Sequence, residues 1–264
     1  MKASINGITM NYDVAGAASA PAVVLHHPLA TNLTTWDELT ADLSPRYRVI
    51  RFDARGHGKS DAPKGPYPFE ALAADVVGLM DHLGVKRAHF LGLSMGGMVG
   101  QYLGLLHADR LASLMLVSTT SRLPAEAVAI WEQRIAATLA GGMKSQVEGA
   151  LTRWVSPAGL KNPALVARMS KMIEATPVEG YLGWCNAIRG LNVTDRLKAI
   201  KVPARVIVGE IDPATPVAAA RVIHENIPGS ELSIVPGVSH MLQNEDPAGF
   251  TKQVAPFLDR HASS

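Results

Sequence analysis

Phe90-Leu91-Gly92-Leu93-Ser94-Met95-Gly96-Gly97 sits between two stretches of different hydrophobic period. Upstream, Ala88 to Leu93 is a short apolar run with the length of a buried strand. Downstream, Met98, Val99, Tyr102, Leu103 and Leu106 recur at helical spacing. The chain must therefore pass from strand to helix within a few residues, around Gly92-x-Ser94-x-Gly96. Glycines two positions either side of the serine let neighbouring backbone pass without a Cβ clash. Such a turn lifts a serine hydroxyl above the sheet in strained geometry. It also leaves the Met95 N–H at a helix N-terminus, where a developing oxyanion is stabilised. The five-residue pattern alone is short. The strand before it and the helix after it are what make Ser94 a candidate nucleophile rather than an ordinary serine in a glycine-rich turn.

Working outward, strand and helix patterns alternate. Lys2 to Ile5 and Ile8 to Val14 flank Asn6-Gly7, a hairpin signal for an antiparallel edge pair. Ala22 to Leu25 and Tyr47 to Phe52 read as strands, with a helix from Trp36 to Leu43 between them. Glu70 to Leu83 is an amphipathic helix carrying Leu72, Val76, Leu79, Met80 and Leu83 on one face. After the serine turn come a strand at Leu111 to Val117, a strand at Ala204 to Val208, a helix at Ala218 to Asn226 and a strand at Glu231 to Val235. Phe250, Val254, Phe257 and Leu258 mark a closing helix. Eight strands alternating with helices predict a mostly parallel sheet covered on both faces, an α/β fold. Residues 121–195 interrupt the alternation with helices joined at Gly141-Gly142, Ser156-Pro157 and Asn162-Pro163. The expected organisation is a core domain of residues 1–120 and 196–264 with a helical cap of residues 121–195. The cap would stand over the carboxyl ends of the strands, where open α/β sheets bind ligands.

The bulk composition narrows the classes. A chain of 264 residues, 47% hydrophobic and 18% charged, suits one large globular domain, or one with an insertion. A net charge of +2, with no basic run, gives no footing for nucleic acid. The opening residues lack the apolar core of a signal peptide, and no stretch approaches the length that spans a bilayer. The single cysteine, Cys185, has no internal disulfide partner and reads as a packed small side chain. These features suit a cytoplasmic protein; oligomeric state is left open.

A serine hydroxyl needs a base, and the base needs an orienting acid. In a sheet of this kind the order is serine, then acid, then histidine, each on a loop after a strand. His240 lies in Pro236-Gly237-Val238-Ser239-His240, just after the last strand. Asp212 lies in Gly209-Glu210-Ile211-Asp212, just after the strand before it. Glu210 is nearer the strand end, but Asp212 is expected in the more exposed loop position and is preferred. No acid follows the strand ending at Val117, where Ser118, Thr119 and Thr120 stand instead. His57 precedes the serine and so has the wrong order; it reads as a hydrogen-bonded structural residue. The second oxyanion donor belongs on the loop after Ala22 to Leu25, which reads His27-Pro28-Leu29. Pro28 has no N–H, which leaves the Leu29 amide. His26 and His27 are adjacent and point opposite ways on an extended chain, so no metal centre is expected, and no glycine-rich dinucleotide motif implies a cofactor.

The serine turn, Arg55-Gly56-His57-Gly58-x-Ser60, Gly209-x-x-Asp212 and Ser239-His240 together resemble the α/β-hydrolase family over the whole chain. Within it, Arg55 to Tyr67, Gly92 to Arg110 and Gly180 to Pro216 look like the corresponding segments of the 3-oxoadipate enol-lactonases. Trp131-x-x-Arg134, Gly141-Gly142 and Arg153-Trp154 also follow that family's arrangement. The family usually reads Asn-Ser-Leu-Gly at the oxyanion loop; here it is His27-Pro28-Leu29-Ala30, with the leucine kept and its neighbours changed. The resemblance implies cofactor-free hydrolysis of the enol-lactone 4,5-dihydro-5-oxofuran-2-acetate to 3-oxoadipate. Such a substrate carries one carboxylate. Residues 121–190 hold eight Lys and Arg against five Glu and no Asp, an excess of three positive charges that would attract it. Trp131 and Arg134 share a helix face, so the first could cover the ring and the second take the acetate; Arg153 beside Trp154 is the alternative. A carboxylesterase or a lactonase for another ring, and a ligand-binding receptor on the same scaffold, are the competing readings.

Overall fold

The computed structural model describes residues 1–262. Eight strands form one sheet: β1 (Lys2–Ile5), β2 (Ile8–Ala15), β3 (Ala22–His26), β4 (Arg48–Phe52), β5 (Ala88–Leu93), β6 (Leu111–Val117), β7 (Ala204–Gly209) and β8 (Glu231–Val235). Their order across the sheet is β1-β2-β4-β3-β5-β6-β7-β8. Only β1–β2 and β2–β4 pair antiparallel; every other pairing is parallel. The turn between β1 and β2 puts Asn6 at φ 45° and Gly7 at φ 80°, the two left-handed positions a two-residue hairpin loop needs. Strands β3, β5 and β6 are buried at every position, which requires cover on both faces.

That cover comes from α1 (Asp37–Leu43), α2 (Phe69–His82), α3 (Met95–Leu106), α8 (Val217–Asn226) and α10 (Pro247–His261), with the short α9 (Leu242–Glu245) before the last. Helix α3 packs on α2 and lies over β5 and β6, while α1 packs on α10. One sequence boundary moves: Trp36 closes a 3₁₀ turn, Leu33–Trp36, and α1 begins only at Asp37. Asn32 caps that turn by accepting the Thr34 N–H at 3.0 Å.

Between β6 and β7 the chain builds α4 (Val128–Gly141), α5 (Val147–Trp154), α6 (Pro163–Glu174) and α7 (Val178–Arg189). The joins fall where glycine and proline placed them: Gly142 at φ 63° follows α4, and Asn162 caps the Pro163 start of α6. A bridge between Arg122 and Asn192 closes the neck of this insertion. Its contacts with the rest of the chain converge on loops at the carboxyl ends of β3, β4 and β8. Arg168 pairs with Glu38 and donates to the Thr34 carbonyl. Trp184 Nε1–H donates to the Arg55 carbonyl at 2.7 Å, and Met241 N–H donates to the Trp154 carbonyl at 3.0 Å. Gly180 meets Gly56 backbone to backbone; a Cβ there would come 1.9 Å from the Gly56 oxygen. Among the described residues, no helix is long and apolar enough to cross a membrane. Cys185 is buried and free, and burial pushes its thiol up to about 12, so it has little thiolate character.

Candidate active site

Ser94 occupies the turn between β5 and α3 at φ 54°, ψ −111°, a conformation that a residue with a side chain seldom adopts. Its surroundings hold it there. Its N–H donates to the Val117 carbonyl at 2.8 Å, and its own carbonyl accepts the Thr119 hydroxyl at 2.8 Å. The flanking glycines are required by close approach. A Cβ on Gly92 would sit 2.2 Å from the Gly96 oxygen, and one on Gly96 would sit 2.4 Å from the His26 oxygen. The serine itself is half-buried at the carboxyl end of the sheet.

Asp212 and His240, on the loops after β7 and β8, are in contact: Asp212 Oδ2 lies 2.8 Å from His240 Nδ1. The other carboxylate oxygen accepts the Ala214 and Thr215 N–H groups at 2.8 and 3.0 Å, and Oδ2 also accepts the Thr215 hydroxyl at 2.8 Å. Burial alone would raise this carboxyl, but the adjacent imidazole and the Thr215 donors outweigh it and hold Asp212 below its ordinary value. Asp212 is not the more exposed of the two acids, contrary to expectation. Asp212 is buried, whereas Glu210 is exposed and accepts the Gly237 N–H at 3.0 Å. Asp212 faces His240 because its carboxylate is drawn inward by the turn it caps. The Ser94 hydroxyl makes no hydrogen bond to His240 among the described residues. Both stand on loops that follow parallel strands, at the carboxyl end of the sheet, and such bonds often close only with substrate bound.

On the loop after β3, Leu29 is buried, and neither its N–H nor that of Met95 has a protein acceptor among the described residues. The next amide is occupied: Ala30 N–H donates to His57 Nε2 at 2.9 Å, the structural role expected of that histidine. His26 and His27 do not share a centre. His26 packs edge-on against Phe52, Phe90 and Trp184, whereas His27 turns towards Ala54.

The four residues nominated on the insertion separate into two sets. Trp154 is buried, with its ring stacked at 6.3 Å on His240. Trp131 and Arg134 are together on α4, with the guanidinium 4.6 Å from the indole centroid. Arg134 and Arg153 are both half-buried, and neither has an acidic partner among the described residues. By contrast Arg168 and Arg189 are paired with Glu38 and Glu132, and Arg122, Lys144, Lys161 and Lys171 are exposed. Burial lowers the Arg134 guanidinium, and burial together with the charge of Arg134 lowers Arg153 to about 10. The two cations therefore feel each other, in partly desolvated surroundings, with nothing negative between them.

Several participants escaped the sequence reading. Thr215 was legible in principle, since an aspartate bonding the N–H groups two and three residues on is ordinary turn chemistry. Glu245 was not: its two oxygens accept the Ser239 and Ser156 N–H groups at 3.1 and 3.0 Å, tying the His240 loop to the end of α5. Gln146, which accepts the Tyr181 hydroxyl at 3.2 Å and donates to the Arg134 carbonyl at 3.2 Å, also carries no local signal.

Comparison with known proteins agrees with this fold. A family profile described as alpha/beta hydrolase fold matches residues 21–247. The chain is 34% identical over 254 residues to 3-oxoadipate enol-lactonase 2 of Acinetobacter baylyi, covering 96% of this chain and 94% of that one. It superposes on the crystal structure of the enol-lactonase from Burkholderia xenovorans with a TM-score of 0.94 at 37% identity, covering 98% of this chain and 100% of that chain. A thermophilic esterase from Thermogutta terrifontis is similar at a TM-score of 0.93 and 27% identity, with 99% of each chain covered.

Proposed function

We propose that this chain, which belongs to the α/β-hydrolase family, is an ester hydrolase that opens the 3-oxoadipate enol-lactone to 3-oxoadipate. Ser94 Oγ attacks the lactone carbonyl carbon and passes its proton to His240, whose imidazole Asp212 orients through the 2.8 Å contact. The carbonyl oxygen becomes an oxyanion facing the Leu29 and Met95 N–H groups. As the intermediate collapses, the bond from the acyl carbon to the ring oxygen breaks. The ring oxygen leaves as an enol, taking the proton from His240, and the enol becomes a ketone. Water then gives a proton to His240 and attacks the acyl-enzyme, and Ser94 leaves with that proton restored. No cofactor enters this sequence.

The observation that carries the lactonase reading over a general esterase is the pair Arg134 and Arg153. Two half-buried cations without an acidic partner among the described residues are costly unless a ligand supplies the negative charge. The acetate arm of the enol-lactone is such a charge, and Trp131 beneath Arg134 offers an apolar face to the ring. Residues 121–195 then act as a cap over the reacting centre, with Trp154 against His240. Similarity to an esterase supports a second reading, a neutral ester as substrate. Loss of enol-lactone ultraviolet absorbance with purified protein tests between them. Turnover of the lactone is expected; hydrolysis of neutral aryl esters with an inert lactone would refute the lactonase reading.

A further inference from the structure

We propose that His27, Thr31 and His57 form a clamp that aims the Leu29 N–H at the reacting carbonyl oxygen, as positioning residues for the oxyanion. This rests on the hydrolase reading above. Leu29 lies between two peptides, and each is tied at a different atom.

The Pro28–Leu29 peptide is held by its carbonyl. Pro28 O lies 2.8 Å from His27 Nδ1 and accepts the Thr31 hydroxyl at 2.8 Å. His27 Nε2 accepts the Ala54 N–H at 3.0 Å, so a neutral ring must carry its proton on Nδ1, and that proton goes to Pro28 O. In a planar trans peptide the N–H points away from the C=O. Two donors fixing Pro28 O on one side therefore fix the Leu29 N–H on the other.

The Leu29–Ala30 peptide is held by its N–H. Ala30 N–H donates to His57 Nε2 at 2.9 Å, which removes it as a competing donor. Ala30 stands at φ 54°, the left-handed region that residues with a Cβ avoid. Without the tie to His57, the backbone would relax from that conformation and turn the Leu29 amide with it. His57 is itself fully buried, its ring 5.0 Å from that of His27, on the turn whose Arg55 carbonyl accepts the Trp184 indole. Both imidazoles serve as acceptors for backbone N–H groups, a role only the neutral ring can fill. Burial lowers both, and His57 is lowered further by His27. His27 uses an acceptor and a donor on opposite sides of a rigid ring, and His57 uses a ring acceptor; no aliphatic or simple aromatic side chain offers either.

The test compares the full chain with Thr31→Val, His57→Phe and His57→Gln. Three quantities are read: kcat and KM on a neutral aryl acetate, affinity for an aryl trifluoromethyl ketone that binds as its oxyanion adduct, and exchange of the Ala30 amide hydrogen. Losing an oxyanion donor costs about 10²–10³ in kcat, so a misaimed one should cost roughly 10- to 100-fold. Thr31→Val and His57→Phe should lose that factor in kcat and in ketone affinity, with KM nearly unchanged. His57→Gln, which keeps a side-chain carbonyl, should recover part of it, and Ala30 exchange should accelerate in His57→Phe. Folded variants with wild-type kcat and ketone affinity would overturn the clamp, as would unchanged Ala30 protection in His57→Phe. If His57→Phe does not fold, the nearly isosteric Thr31→Val decides on kcat and ketone affinity alone. A wild-type chain inert to esters and to a fluorophosphonate overturns the hydrolase reading instead, and amide exchange still judges the clamp.

Discussion

Arg134→Met separates a substrate-binding charge from a structural one. The substitution keeps most of the apolar stem over Trp131 and removes the guanidinium that lies 4.6 Å from the indole centroid. Among the described residues this charge has no acidic partner, and it is partly desolvated and depresses Arg153. Its removal should therefore leave the melting temperature unchanged or higher, with about 2–4 °C gained per kcal/mol relieved in a chain of this size. Catalysis should move the other way. Losing a buried charge partner typically costs about 2–5 kcal/mol, which at about 1.4 kcal/mol per decade is roughly a 30- to 4,000-fold fall in kcat/KM for the anionic lactone. A neutral aryl ester never uses that charge and should change by a few-fold at most. The assay is paired: initial rates on both substrates, and a thermal melt on the same sample. Equal losses on the two substrates, or a drop of several degrees in Tm, would give Arg134 a structural role and refute the reasoning. No loss on either would place the guanidinium outside the reaction.

The remaining expectations concern the core machinery. Ser94→Ala should lower kcat by about 10⁴–10⁶ with the fold retained, and a fluorophosphonate should label wild type but not this variant; labelling elsewhere would displace Ser94 as nucleophile. Asp212→Asn should lower kcat by about 10⁴, while Glu210→Gln, at an exposed side chain, should leave it near wild type; the reverse pattern would make Glu210 the acid. His26 is buried among aromatic rings, and burial, with the neighbouring His27, lowers it from 6.5 to about 3. Its unfolded form takes up a proton as pH falls through 6.5 and its folded form does not. Its contribution is thus fully present above 6.5 and declines by about 1.4 kcal/mol per pH unit down to about 3. Denaturant melts between pH 7 and 5 should show a shallower pH slope in His26→Phe than in wild type, and equal slopes would contradict the assignment.

The fold was legible because its signals are local and repeated. β5 and β6 are apolar at every position, as strands covered on both faces must be, and the Asn6-Gly7 hairpin declares its own turn type. The joins at Gly142 and Asn162 were legible for the same reason. The placement of Ser94, Asp212 and His240 on turns and loops that follow strands was legible from the same alternation. What could not be read is whatever depends on groups distant in sequence. The ties from His27 to Ala54 and from Ala30 to His57 each span 27 residues, and Glu245 reaches Ser156 across 89. Exposure on the loop does not single out Asp212, which is buried while Glu210 is exposed. An acid that orients a histidine is better placed buried, where its attraction to the ring is less screened. The 3₁₀ turn at Leu33–Trp36 is too short to show a period, so Trp36 was assigned to the helix that follows it.

In the proposed reaction, acyl transfer and substrate choice fall on different parts of this chain. Ser94, Asp212, His240 and the two amides sit on the sheet and its loops, and none of them distinguishes one acyl group from another. The residues that could discriminate, Trp131, Arg134 and Arg153, sit on α4 and α5, in an insertion tied to the core through the backbone carbonyl of Trp154 on α5 and, from Trp184 on α7, the carbonyl of Arg55. Substitutions on those helices can change which ester is bound without disturbing how it is cleaved, provided these ties and the Gly180–Gly56 contact survive. Stability alone would favour replacing two mutually repelling, half-buried arginines with apolar side chains. Their presence is therefore better explained by a ligand that brings the missing negative charge than by anything the free protein gains from them.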